Sequence, residues 1–85
     1  MLEELRIQID AVDAGLASLF AKRMEMVRQV AETKRGGALV LDENREAQVR
    51  EQFLSRIPAE LEIYADQLLD TLLAVSKDYQ KDLLS

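Results

Sequence analysis

Apolar residues recur along the first third of the chain at an alternating four-three spacing: Leu5, Ile9, Val12, Leu16, Leu19, Met26 and Val30. That period lays one apolar stripe along a single long helix. The position between Leu19 and Met26 that would continue the stripe is Arg23, a permanent cation. The spacing predicts a helix from about Leu2 to about Lys34, crossing only Gly15, a tolerable single interruption. Arg35-Gly36-Gly37 ends it, because glycine suits the left-handed residue that follows a helix. The segment ALVL, 38–41, is a connector. Asp42 reads as the N-cap of a second helix running to about Arg56. Pro58 breaks or restarts the chain, since proline fits the first turn of a helix and not its interior. A third helix follows to about Leu84. No repeat or low-complexity segment interrupts this order, and 85 residues suit one domain, 1–85. The expected fold class is all-α.

The first helix is too long for a chain of this size. At ~1.5 Å per residue it spans about 50 Å. A compact globule of the same length has a radius of gyration of roughly 12 Å and is only about 30 Å across. The two later helices are too short to cover the whole stripe. Each large apolar residue left in water forfeits ~1.5–3 kcal/mol of burial. A second copy of the chain is the expected remedy, giving an intertwined helical homodimer.

Arg23 is one of several polar residues set on inward-facing stripes. Lys34 follows it by close to three turns, so both point the same way, about 16 Å apart along the axis. Asp42, Arg45, Glu46, Val49 and Phe53 follow helical spacing, which puts a charged first turn on the face that later packs. Leu69, Leu73, Ser76 and Gln80 follow it as well, so that stripe begins apolar and ends in a hydroxyl and an amide. Each intrusion has an ordinary explanation taken alone. An arginine in a seam sets register or snorkels, a serine late in a helix bonds its own backbone, and DENRE is a capped helix start. All three helices turn polar together, however, and a buried unpaired charge is very costly. Facing one another, these groups form a donor-rich set suited to a small anion bearing carboxylates.

Composition narrows the chemistry. The chain has no cysteine and no histidine. That removes thiolate metal sites, disulfides, the commonest general base and the usual partner of a nucleophile. Neither a metal nor another cofactor is expected. The net charge is −5, with 16 acidic and 11 basic residues, which argues against nucleic acid as a partner. No apolar run is long enough to span a membrane, and the N-terminus does not read as a signal peptide. A cytoplasmic location is the default.

In order and spacing these residues resemble the all-helical chorismate mutases. The likeness rests on Leu5-Arg6 near the start of the first helix, Arg23 in its middle and Lys34 near its end. It continues with Asp42-x-x-Arg45-Glu46 at the second helix and Ser76-x-x-x-Gln80 in the third. It covers essentially the whole chain. The connector is about one residue shorter than in a bacterial member, and Leu41 stands where that member has an arginine. The chain ends soon after Gln80, so no fused dehydratase, dehydrogenase or regulatory domain is expected.

The resemblance implies a dimer with two sites, each inside one chain's three helices, with Arg6 reaching into the other chain's site. Arg6 lies roughly 100° around the helix from Arg23, which agrees. It also implies the rearrangement of chorismate to prephenate in the shikimate pathway, toward phenylalanine and tyrosine. Arg23 and the partner chain's Arg6 would grip the carboxylates. Lys34 and Gln80 would donate to the ether oxygen. Glu46, with the backbone near Asp42, would hold the ring hydroxyl, and Arg45 and Ser76 would complete the cage. Such a reaction needs no nucleophile, metal or base, only a held conformation and donors at the developing charge. Two alternatives stand beside it: an isochorismate-pyruvate lyase of the same fold, and a non-catalytic helical dimerisation module.

Overall fold

The third helix organises the molecule. The computed structural model describes residues 1–33 and 42–85. Among these, α1 (Leu2–Thr33), α2 (Glu43–Leu54) and α3 (Glu62–Leu84) carry the fold, and one 3₁₀ turn, Ala59–Leu61, leads into α3. Ala65, Leu69, Leu73 and Gln80 of α3 are buried, and Ser76 is half-buried. Steps of three and four residues keep them on one face of the helix. Leu69, fully buried, anchors that face. The fold class is all-α, as the periodicity predicts.

Only the C-terminal part of α1 packs within the chain. Ala31 is buried and Met24 and Val27 are half-buried, whereas residues 1–22 are exposed throughout. Leu5, Ile9, Val12, Leu16 and Leu19 are between 46% and 63% exposed. The apolar stripe is therefore present, but over this length none of the described residues covers it. The molecule measures 54 × 25 × 15 Å with a radius of gyration of 15.6 Å, against roughly 12 Å for a compact chain of this length. The excess is α1 projecting beyond the other two helices.

Helix α2 rests on α3 and, among the described residues, makes no packing contact with α1. Asp42 caps it. Its backbone is extended, and its carboxylate accepts from the Arg45 backbone N–H at 2.9 Å, satisfying one of the donors a helix start leaves free. No residue of α2 is buried. Val49 and Phe53 are half-buried, and Arg50 reaches across to Asp66 and to Asp70, the latter at 2.6 Å. Asp66 and Asp70 lie one turn apart on α3, so one guanidinium grips two carboxylates and fixes the rotation of α2.

The link between α2 and α3 differs slightly from expectation. Helix α2 ends at Leu54, two residues early, because Arg56 N–H and Ile57 N–H turn back to the Phe53 and Leu54 carbonyls at 3.1 Å each. Pro58 is extended, with ψ of 141°, and the 3₁₀ turn closes by Leu61 N–H donating to the Pro58 carbonyl at 2.9 Å. The α-helix proper begins only at Glu62. The predicted end of the first helix at Lys34, the glycine stop and the 38–41 connector lie outside the described residues.

Candidate active site

A cavity of about 300 Å³ opens where the three helices converge. Helix α1 supplies Arg23, α2 and its cap supply Asp42, Arg45 and Glu46, and α3 supplies Ser76, Lys77 and Gln80. Met26, Val27, Val30, Val49 and Leu73 form its apolar walls. Six of the residues singled out from sequence thus meet in one place. Arg23 leaves the stripe because the seam opens into this cavity there.

The polar groups are held in different ways. The Arg23 guanidinium donates to Ser76 Oγ at 2.6 Å, and that hydroxyl donates to the Leu72 carbonyl at 2.7 Å. Ser76 therefore bonds its own backbone, as late helical serines do, and also steers Arg23. Burial lowers the Arg23 pKa, and the nearby charge of Arg45 lowers it further. Among the described residues no carboxylate pairs with Arg23. Two guanidiniums that repel one another at a partly dry cavity are an arrangement that an anion relieves.

Gln80 is buried, and its side-chain amide donates to the Val27 carbonyl at 3.5 Å. That length is at the outer limit of a hydrogen bond, so the amide is only loosely engaged. The Asp42 carboxylate is occupied by its capping bond. Glu46 Oε2 lies 3.3 Å from Lys77 Nζ. Among the described residues no group of three potential metal ligands forms. The cavity offers charge, hydrogen-bond donors and shape.

The remaining two sequence candidates stand apart. Arg6 is exposed on the projecting part of α1 and does not line this cavity. Lys34 lies outside the described residues. The reading from sequence missed Lys77, which lies one position after Ser76 and off the Leu69-Leu73-Ser76-Gln80 stripe. Its long side chain brings the ammonium to the cavity.

Three helices around a donor-rich cavity define a small all-α domain. The family model described as chorismate mutase type II matches residues 5–81, and the chain belongs to that family of isomerases. Neither the curated proteins nor the solved structures include a significant match to the chain. Family membership supports chorismate mutase activity in general. Among the described residues no helix is long and apolar enough to cross a membrane.

Proposed function

We propose that this chain, as one domain over residues 1–85, rearranges chorismate to prephenate for phenylalanine and tyrosine synthesis in the cytoplasm. The observation that carries the reading is the convergence of Arg23, Arg45, Ser76 and Gln80 from three helices on one cavity, with Arg23 bound to a hydroxyl and to no described carboxylate. The rearrangement breaks a carbon–oxygen bond and forms a carbon–carbon bond in one concerted step. Holding the substrate's two carboxylates apart and its chain folded over the ring supplies the reactive shape. Arg23 grips one carboxylate with Ser76 behind it, and Arg45 adds positive charge. Gln80 turns from its long bond to Val27 toward the ether oxygen, where negative charge grows, and Lys34 donates to the same atom. Glu46, with the backbone near Asp42, holds the ring hydroxyl.

A second copy of the chain completes the site in this reading. The uncovered stripe from Leu5 to Leu19 supports it, because such a surface is stable only when buried. A twofold dimer buries it against the same helix of the partner and carries Arg6 toward the partner's cavity. The deciding experiment adds chorismate to the purified chain, follows the loss of its ultraviolet absorbance and identifies the product. Prephenate is the expected product. Release of pyruvate from isochorismate, with chorismate untouched, would assign the lyase reaction. No conversion of either compound would leave a helical dimerisation module.

A further inference from the structure

Lys77 lines the cavity beside Glu46, with its Nζ 3.3 Å from Glu46 Oε2. The pair joins α3 to α2 at the end of α2 nearest the site. Arg50 makes a second link between the same two helices farther along, binding Asp66 and Asp70 away from the cavity. The position of Lys77 answers a different need. Resting on the proposed function, the cavity must admit a dianion while keeping a carboxylate, Glu46, in its wall. Among the described lining residues the cations are Arg23, Arg45 and Lys77, and the carboxylates are Asp42 and Glu46. Without Lys77 the positive and negative charges of the described wall would cancel. A wall with no net charge attracts a dianion far less than one carrying a net positive charge.

We propose that Lys77 is a positioning and charge-compensating residue of the site: it orients Glu46 toward the substrate hydroxyl and offsets the carboxylate that would otherwise repel the dianion. One Glu46 oxygen is engaged by the ammonium, and the other carries lone pairs able to accept from a hydroxyl. A third cation also raises the pull of the cavity on an approaching anion. Lys77 touches the machinery through Glu46 and is not itself placed at the breaking bond. Its loss should therefore weaken substrate and transition-state binding alike, raising KM with little change in kcat.

The test compares the parent with Lys77→Met, Lys77→Arg, Glu46→Gln and the double variant Lys77→Met/Glu46→Gln, as full chains acting on chorismate. A partly exposed ion pair contributes little to folding, so Lys77→Met should keep its circular dichroism. If it does not fold, Lys77→Gln takes its place. The expected result is a KM raised about tenfold in Lys77→Met, kcat changed less than about threefold, and Lys77→Arg within about twofold of the parent. In the double variant the carboxylate that Lys77 offsets is gone and the described wall keeps a net positive charge, so its KM should fall below that of Lys77→Met. An unchanged KM in a folded Lys77→Met chain overturns the inference. So does a KM increase of the same size whether or not Glu46→Gln is present, because the two residues would then act independently. A parent that leaves chorismate unchanged refutes the proposed function and this inference together. An active parent with an indifferent Lys77 refutes only the inference.

Discussion

Replacing Gln80 by glutamate exchanges an amide that donates at every ordinary pH for an acid that donates only when protonated. Gln80 is 8% exposed, and its donor end faces the Val27 carbonyl at 3.5 Å. Burial and a facing carbonyl both disfavour a carboxylate there, while the cations of the cavity favour it. Burial and the facing carbonyl push this carboxyl above its ordinary value. Such a folded pKa lies above the unfolded one. The variant's stability contribution is then fully present below pH ~4 and is lost as pH rises through the folded pKa. Activity follows the same direction. From about one unit above that pKa, the protonated fraction falls roughly tenfold per pH unit, and kcat should fall with it. The assay is kcat for chorismate between pH 5 and pH 8, with circular dichroism taken at each pH to separate unfolding from lost chemistry. The parent amide should give a shallower profile. A Gln80→Glu variant that stays folded with a flat profile would refute the placement of residue 80 at the ether oxygen.

Three further outcomes follow from the same account. Lys34→Ala should lower kcat by ~10²–10³ with the helical circular dichroism unchanged, the usual loss for one donor to a developing oxyanion; near-normal turnover in the folded variant would remove Lys34 from the site. Leu69→Ala empties the anchor of the α3 face and should destabilise by about 2–5 kcal/mol, seen as a large drop in melting temperature. Asp42→Ala removes the cap on the Arg45 backbone N–H and should destabilise by about 1 kcal/mol, with Asp42→Ser restoring most of it; equal melting of all three proteins would show the cap to be idle.

Much of the cavity was legible as spacing. Leu69, Leu73, Ser76 and Gln80 had to share a face once the third helix was granted, and Asp42 had the chemistry of a cap. Arg23 stood out because a strict apolar period makes any exception visible. The pairings across helices were less accessible. Lys77 and Glu46 come together only through the angle at which α2 lies on α3, and that angle depends on the link at residues 55–61, where two turns and an extended proline replace a simple helix break. Arg50 left a fainter trace, since Asp66 and Asp70 sit one turn apart on α3 without a basic neighbour on that helix to satisfy them. The projecting half of α1 is the reverse case. The sequence marks its stripe as apolar, while among the described residues nothing buries it.

The shared site is tested most directly by complementation between two disabled chains. Arg6→Ala and Arg23→Ala homodimers should each be nearly inactive, because every site lacks one arginine. Unfolding the two variants together in equal amounts and refolding them yields mixed dimers. In a mixed dimer one site lacks both arginines, and the other takes Arg23 from the Arg6→Ala chain and Arg6 from the Arg23→Ala chain. With random pairing half the dimers are mixed and each has one intact site, so activity should return to about a quarter of the parent's. No recovery, with mass spectrometry confirming that mixed dimers formed, would contradict a site built from two chains.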